Sequence, residues 1–271
     1  QLLASQATFD LCHVRGLKHK NNIFTELDLS KLNVKFLDAG HVLGSRQLQV
    51  ECDGYSLCYT GDMKFRNSFT NKKSEVPNSD VLIMEATYGH PQFSFPSHDE
   101  IALQISKFIS ESEKKKSNVV FGAYSLGKSQ ELVKLLNEIG VVPIVNKQIF
   151  EINQIYAKHG IQLQSVMSES EEGREILKKP FVSILPMNLV NQELQNNLEL
   201  AFQRKCELAL ATGWGATRYS QRSFLLSDHA DFKELVEFAQ ASNAKKIITA
   251  HGQNRQLANS FKKLGLNAIA L

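Results

Sequence analysis

Apolar and polar positions alternate differently in two parts of the chain. Four short runs in the first third, at 34–37, 47–50, 57–60 and 81–84, have strand-like patterns separated by turn residues, which predicts a meander of hairpins. After residue 97, apolar residues at helical spacing alternate with short apolar runs, and this rhythm predicts a parallel sheet. The predicted helices are 101–113, 130–138, 150–159, 232–241 and 256–264, and the predicted strands are 118–121, 141–145 and 246–249.

Two further segments complete the predicted secondary structure. Residues 2–16 have the pattern of a helix, and residues 168–175 form the most loop-like segment of the chain. The predicted fold class is therefore α/β with a β-rich first third, which by itself indicates no function.

The composition excludes several classes of protein. The 271 residues suffice for one or two domains, and 42% apolar with 22% charged residues is typical of a globular chain. The net charge of +3 permits a polyanionic partner without indicating one. No apolar run approaches the roughly 18 residues of a membrane span, and the four cysteines form no CxxC pair. We therefore expect a cytoplasmic protein with no membrane partner.

Residues that can bind metals follow the predicted strands. His41, Asp62 and Glu85 come after the first, third and fourth strands of the meander, and His251 follows the last predicted strand. His229 lies in a polar segment just before a helix. In α/β proteins, ligands gather beyond the carboxyl ends of strands. Imidazole and carboxylate groups beside glycine suit a divalent metal, so these ends form a candidate site.

Taken singly, each of these residues has an ordinary structural explanation. A lone histidine at a strand end is more often a hydrogen-bonded turn residue than a ligand. Asp62 could belong to a turn, and Asp228 or Asp231 could cap the following helix. We assign Asp231 to capping. Five such polar segments together nevertheless indicate a functional site.

The five segments occur in a particular order. They are Asp38-Ala39-Gly40-His41-Val42-Leu43-Gly44-Ser45, Tyr59-Thr60-Gly61-Asp62, Glu85-Ala86-Thr87-Tyr88-Gly89, Ser227-Asp228-His229-Ala230-Asp231 and Ala250-His251-Gly252. This set resembles the metallo-β-lactamase-fold nucleases of the β-CASP group, which include mRNA 3′-end processing nucleases and exonuclease-like proteins associated with DNA ligases. The resemblance implies a metallo-β-lactamase αββα core at 1–90 and 224–271, its N-terminal part missing, with an inserted β-CASP α/β domain at 91–223.

The resemblance also implies roles for single residues. His41, Asp62 and His251 match metal ligands, with Asp62 bridging two zinc ions. His229 matches the acid that protonates the leaving oxygen, and Glu85 matches the carboxylate that orients this histidine. A histidine suits such a role because its pKa lies near neutrality, and two metals would activate water and neutralise developing charge. The implied function is zinc-dependent hydrolysis of phosphodiester bonds in RNA or single-stranded DNA, with His229, Glu85 and Asp62 as catalytic residues.

One motif of the family, His-x-His-x-Asp-His, is absent from the chain. In the family it precedes the part that corresponds to residues 2–11; the nearest histidines here, His13 and His19, lack the Asp and are interpreted as surface residues. Three matched ligands cannot complete a two-metal site, because a catalytic zinc has about three protein ligands of its own. We expect the motif to belong to the native protein outside this chain. The alternatives are one metal on the three ligands, or a non-catalytic β-CASP-like nucleic-acid-binding or scaffold subunit.

A second motif competes with the family's chemistry. Residues 122–129 fit the phosphate-loop pattern G-x-x-x-x-G-K-[ST] between a predicted strand and helix. A following strand that ends in a magnesium-binding Asp is not evident, 224–228 being the nearest candidate, and the segment also resembles the helix start of the β-CASP domain. We therefore rank an ATPase last. The helix start, with Ser125, Lys128 and Ser129, is instead a candidate site for a substrate phosphate.

Basic and aromatic residues at 214–222 are candidates for contacts with single-stranded nucleic acid. Arg218 and Arg222 lie near Trp214 and Tyr219, so they combine charge with stacking. A solvated loop is the alternative. RNA or DNA, endo- or exonuclease cleavage, and a homodimer or processing-complex partners all stay open.

Overall fold

The computed structural model describes residues 2–17, 23–24, 33–215 and 222–271. The chain forms two compact units: unit 1 comprises Gln1–Ser94 and Asp228–Leu271, and unit 2 comprises Phe95–Ser227. Both units mix helices and strands, which confirms the predicted α/β class. The unit boundaries lie four residues after each predicted domain boundary, and the interpretation of unit 2 as an inserted β-CASP domain stays a prediction.

The described strands and helices follow one another along the chain. They are β1 (Leu2–Leu3), α1 (Gln6–Val14), β2 (Ile23–Phe24), β3 (Val34–Asp38), β4 (Arg46–Cys52), β5 (Tyr55–Tyr59), β6 (Val81–Glu85), α2 (His98–Lys114), β7 (Asn118–Ala123), α3 (Lys128–Glu138), β8 (Ile144–Val145), α4 (Lys147–Lys158), β9 (Val166–Met167), α5 (Glu171–Leu177), β10 (Val182–Pro186), α6 (Gln192–Phe202), β11 (Cys206–Ala211), β12 (Arg222–Phe224), α7 (Phe232–Ser242), β13 (Lys246–Ala250), α8 (Asn254–Lys263) and β14 (Ala268–Ala270). Among the described residues, no helix combines the length and hydropathy of a membrane span.

Unit 1 is built on a six-stranded sheet in the order β14-β13-β6-β5-β4-β3. Strand β4 is antiparallel to both β3 and β5, whereas β5, β6, β13 and β14 pair in parallel. The predicted meander is therefore right for the first three strands and wrong for the fourth. A parallel partner needs a longer connection than a hairpin, and residues 60–80 supply it. As a result, β3, β5, β6 and β13 all point in one direction and end at the same edge.

The core of unit 1 lies between one face of this sheet and two helices. Leu82, Met84 and Ile247 of the sheet are buried against Phe238 of α7 and Phe261 of α8. Helix α7 begins where Asp231 accepts a hydrogen bond from the backbone N–H of its first turn, which confirms the predicted cap. Helix α7 is thus fixed at its start, directly after the polar segment that contains His229.

Unit 2 contains a second six-stranded sheet in the order β12-β11-β7-β10-β8-β9. All its described pairs are parallel, so the predicted parallel sheet is confirmed. Every residue of the inner strand β7 is buried, as expected for a strand covered on both faces. Aromatic contacts between Phe108, Phe121 and Phe224 join α2 to this sheet.

Three local predictions differ from the structure. The first helix begins only at Gln6, because Ser5 caps it and Leu2–Leu3 pairs in parallel with Ile23–Phe24. The segment interpreted as a loop contains helix α5, whose N-terminus is capped by Ser170. The strand predicted at 141–145 is confined to Ile144–Val145, since Pro143 has no N–H for a ladder.

Candidate active site

The topology of unit 1 gathers the candidate residues at one edge of its sheet. His41 follows β3, Asp62 follows β5, and Glu85 is the last residue of β6. Ala250 of β13 lies beside Glu85 in the sheet register, which places His251 next along the same edge. The four strand ends that the sequence singled out therefore meet because their strands are parallel to one another.

Three potential metal ligands cluster at this edge. One ligand atom from each of His41, Asp62 and His229 lies within 4.8 Å of the others. The Nε2 atom of His41 is 3.9 Å from Oδ2 of Asp62, and the two imidazole rings lie 4.5 Å apart between centroids. His251 is exposed, with a left-handed backbone at φ +63°. Among the described residues, the compact cluster thus contains His229 in place of the predicted ligand His251.

The orientation of His41 suits a metal ligand. Its Nδ1 atom lies 3.0 Å from the backbone carbonyl oxygen of Asp228, which can only accept a hydrogen bond. Nδ1 must therefore donate, and the lone pair is left on Nε2, the atom nearest Asp62. Histidine ligands commonly donate their second ring N–H to a carbonyl or carboxylate in this way.

His229 forms a pair with the buried carboxylate of Glu85. Its Nδ1 atom lies 3.0 and 3.1 Å from the two carboxylate oxygens. Burial acts to raise the pKa of Glu85, but the charge of His229 and hydrogen bonds from His229, Thr87 and Met63 outweigh it and lower this pKa. The ionised carboxylate can only accept, so His229 donates from Nδ1. Its Nε2 atom is then the one that can carry a proton to or from a substrate.

Residues 63 and 64 connect the loops of the site. The N–H of Met63 donates to Glu85 at 2.6 Å, while its carbonyl oxygen accepts from the N–H of Ala230 at 2.7 Å. The N–H of Lys64 donates to the carbonyl oxygen of Ala39 at 3.0 Å. Because both side chains are buried, this short segment holds the Asp62 loop against the segments that carry His41, Glu85 and His229.

A buried ionic cluster lies beside this segment. Glu234 of α7 accepts from the N–H of Phe65 at 2.9 Å and from Nε of Arg66 at 2.8 Å. A second nitrogen of Arg66 is 3.7 Å from Asp231. Burial raises the pKa of Glu234 to about 7, against the lowering effect of Arg66. The carboxyl group therefore titrates near neutral pH.

Several residues of the site were not predicted from the sequence. Asp228 was considered only as a cap, yet its carbonyl oxygen orients His41 and its buried carboxylate lies 4.0 Å from Nε2 of His229. Tyr88 packs edge-on against His229 at 6.0 Å between centroids. Both residues lie within the quoted motifs, so their position beside the candidate histidines was the available signal. Glu234 lies outside every motif, and only the fold shows its contacts.

The predicted substrate-binding residues belong to unit 2. Ser125, Lys128 and Ser129 occupy the turn before α3 and its first residues. The hydroxyl of Ser129 donates to the carbonyl oxygen of Tyr124 at 2.8 Å, and the ammonium of Lys128 lies 4.9 Å from the centre of the Tyr124 ring. The structure thus brings the three residues onto one turn and already engages one hydroxyl and one ammonium group within the protein.

The same turn lacks a feature that a nucleotide-binding loop needs. The N–H of Gly127 donates to the side chain of Gln130 at 2.8 Å, and Gln130 also donates to Asn153. A phosphate loop uses such N–H groups to hold the ligand. The hydrogen bond of Gly127 therefore weighs against the ATPase hypothesis.

One of the two predicted arginines, Arg222, lies among the described residues. The guanidinium of Arg222 in β12 lies 4.8 Å from the centre of the Phe108 ring, and its side chain is exposed. The aromatic neighbour that the structure shows for Arg222 is Phe108 of α2, not one of the predicted pair, and contact with nucleic acid stays a prediction. Arg218 and Tyr219 lie outside the described residues, as does His19.

Together, the fold and the site define a class of protein: a mixed α/β core that gathers histidine and carboxylate side chains, potential metal ligands, at the ends of its strands. The family described as a Zn-dependent metallo-hydrolase RNA specificity domain matches residues 218–271. A probable DNA ligase of Opitutus terrae is 30% identical over 260 residues, which are 91% of this chain and 24% of that protein. An RNase J-like protein of Methanocaldococcus jannaschii is 32% identical over 119 residues, 43% of this chain and 28% of that protein.

The chain belongs to the β-CASP group of metallo-β-lactamase-fold nucleases. A crystal structure of a protein of unknown function from Enterococcus faecalis V583 has the same fold, with a TM-score of 0.64 and 12% identity over 99% of this chain and 73% of that chain. The chain spans about a quarter of the length of the two curated relatives. The predicted metallo-β-lactamase fold is thereby confirmed.

Proposed function

We propose that the protein is a zinc-dependent nuclease that hydrolyses phosphodiester bonds in RNA or single-stranded DNA. The observation that carries the proposal is the hydrogen bond between His229 and the buried Glu85 directly beside the His41–Asp62 pair. An imidazole oriented by a carboxylate is a proton donor suited to neutral pH. Ligand atoms within reach of the same point add the means to hold a metal.

The donor set fits zinc. His41 and Asp62 offer one nitrogen and one oxygen, which are ligand atoms that zinc prefers. Zinc ligands lie about 2.0–2.2 Å from the ion, so the 3.9 Å separation of these two atoms would have to close only slightly. His41 is oriented by the Asp228 carbonyl, as ligand histidines commonly are. When bound, zinc activates water and neutralises charge on phosphate.

The residues of the chain would then supply the proton for the leaving oxygen and hold its donor in position. Glu85 holds His229 so that its Nε2 atom faces away from the carboxylate. In its protonated form, His229 can donate from Nε2 to the oxygen that leaves phosphorus. His229 also fits the description of a third ligand, since its other nitrogen is held by a carboxylate. The family role of acid and this ligand role can be separated by experiment.

We propose further that the native protein contains the His-x-His-x-Asp-His motif outside this chain, and that His251 joins the ligands there. His251 lies beside Glu85 in the sheet register, at the edge where the other donors gather. A two-metal site needs more ligands than the described cluster supplies. A chain without that motif and without zinc would instead be a binding or scaffold subunit.

The test compares two histidine variants of the native protein. We expect His229→Ala to lower kcat on single-stranded RNA or DNA by roughly 10²–10⁴-fold, because a general acid contributes about that much. His13→Ala, which changes an exposed histidine of α1, should leave kcat unchanged and serves as the control. The mass of the purified protein and its zinc content are measured on the same samples.

Zinc content separates the two roles of His229. Retained zinc with lost turnover identifies an acid, whereas loss of zinc identifies a ligand. A native protein that contains the upstream motif and zinc but cleaves neither RNA nor single-stranded DNA would contradict the proposal.

A further inference from the structure

We infer that Glu234 is a positioning residue of the candidate active site and acts through the loop that carries Asp62. The inference rests on the proposed function and adds to it a residue outside the family motifs quoted above. Glu234 lies on the first turn of α7, five residues after His229, and its side chain is buried. Its carboxylate contacts the Asp62 loop rather than solvent, which a helix-surface glutamate would not do.

The two oxygens of Glu234 bind the loop at adjacent residues. Oε2 accepts from the N–H of Phe65 at 2.9 Å, and Oε1 accepts from Nε of Arg66 at 2.8 Å. Phe65 follows Asp62 by three residues. The two residues between them, 63 and 64, form hydrogen bonds to the segments that carry Glu85, His229 and His41. The carboxylate therefore holds the end of the segment that determines where Asp62 lies.

The same contacts close a ring with the start of α7. Asp231 accepts from the N–H of Glu234 at 2.9 Å through Oδ1, while its Oδ2 lies 3.7 Å from Arg66. Arg66 returns to Glu234. Since Asp231 is two residues from His229, the ring joins the segment of the candidate acid to the segment of the candidate ligand. Any displacement of one would therefore be transmitted to the other.

Stability alone does not account for these buried charges. Apolar residues of similar volume often stabilise a protein as much as a buried ion pair or more, because charges are costly to remove from water. Burial raises the pKa of Glu234 to about 7, so keeping it charged at neutral pH opposes folding. A directed pair of hydrogen bonds gives instead a defined geometry for the loop, which an apolar contact would not.

The experiment uses three variants of the zinc-loaded native protein. Glu234→Leu removes both hydrogen bonds, Glu234→Gln keeps the shape and loses the charge, and Glu237→Gln changes an exposed glutamate of the same helix as a control. The readouts are the zinc dissociation constant from chelator competition, kcat and KM, the melting temperature, and hydrogen exchange of the Met63 and Phe65 amides.

We expect zinc binding about 10-fold weaker in Glu234→Gln, and up to about 100-fold weaker in Glu234→Leu, as for other residues that orient metal ligands. The value of kcat should fall with little change in KM, and the Phe65 amide should exchange faster. Glu237→Gln should match wild type in every readout. If Glu234→Leu does not fold, Glu234→Gln decides.

A folded variant with wild-type zinc affinity, kcat and Phe65 exchange would overturn the inference. Failure of the proposed function looks different, because the wild-type protein itself would then cleave no substrate, whether or not it binds zinc. In that case hydrogen exchange still reports whether Glu234 holds the loop: unchanged Phe65 exchange in the variants overturns the positioning role, and faster exchange supports it.

Discussion

The two six-stranded sheets bury their residues in different ways. In unit 2, all six residues of the inner strand β7 are buried. In unit 1, the inner strand β5 exposes 69% of Tyr55, 37% of Leu57 and 40% of Tyr59 along one face, while Cys58 on the other face is fully buried. Sheets with parallel strands are normally covered on both faces. Unit 2 thus meets this requirement, whereas unit 1 leaves an apolar face partly open.

This open face extends across the whole sheet of unit 1. Positions that alternate with the buried core residues are apolar on every strand and are only partly buried or exposed. They are Val34, Phe36, Leu48, Val50, Tyr55, Leu57, Tyr59, Val81, Ile83, Ile248 and Ile269. A solvent-exposed sheet face normally carries polar residues at these positions. An apolar patch of this extent indicates a surface that packs against something else.

The largest expected effect comes from truncating one aromatic residue in each sheet. Phe121→Ala in β7 removes a fully buried ring and should cost about 3–5 kcal/mol of unfolding free energy. Tyr59→Ala in β5 removes a ring that is 40% exposed, and should cost below about 1 kcal/mol in this chain. Urea unfolding of the two variants measures the difference.

The same pair of variants tests what covers the open face. In the native protein, a covering segment would bury Tyr59, so the cost of Tyr59→Ala should rise towards that of Phe121→Ala. Equal and small costs in the chain and in the native protein would mean that the face stays open, and that its apolar residues serve another purpose.

Much of the fold could be predicted from the sequence, because its patterns were local. Periodicity located β7 and α3 and predicted the parallel sheet of unit 2. It could not predict that β6 is parallel to β5, since this depends on a long connection rather than on the strand itself. Helix α5 was mistaken for a loop because its polar residues are also those that cap and begin helices.

The site was predictable to a different extent. The strand-end histidines and carboxylates stood out because their residue types are unusual after apolar runs, and the structure does gather His41, Asp62 and His229. Whether His229 or His251 lies close to His41 and Asp62 depends on distances across the sheet edge. The sequence could therefore not predict which of the two histidines belongs to the compact cluster. The contacts of Glu234 join residues 169 positions apart and left no local pattern.

The second-largest expected effect is a pH dependence of folding stability that arises from the buried charges of unit 1. The folded pKa of Glu234 is about 7, above its ordinary value of 4.5. This group therefore stabilises the fold most below pH 4.5, and its contribution is lost as the pH rises through 7, by at most about 3 kcal/mol. Arg66, Asp231 and Lys64 are the charged groups that act on it.

A substitution that cannot titrate isolates this contribution. The variant Glu234→Gln should not show this loss of stability as the pH rises. The unfolding free energy of wild type should therefore fall relative to that of the variant between pH 4.5 and 8. Glu237→Gln, on the exposed side of α7, should leave the wild-type slope. Parallel curves for wild type and Glu234→Gln would show that Glu234 does not titrate in this range.

The smallest expected effect is a difference in unfolding free energy between two glycine substitutions, one in each unit. A Cβ atom at Gly252 in unit 1 would clash with the backbone carbonyl oxygen of Ala86, and the backbone is left-handed at φ +46°. A Cβ atom at Gly122 in unit 2 would lie 2.6 Å from a terminal methyl of Leu210, which can rotate away. We expect Gly122→Ala to cost about 1–3 kcal/mol, and Gly252→Ala to cost about 1–2 kcal/mol more, because it adds backbone strain. Urea unfolding of both variants measures the difference. Equal costs would mean that the loop of unit 1 yields as readily as the side chains that pack on the sheet of unit 2.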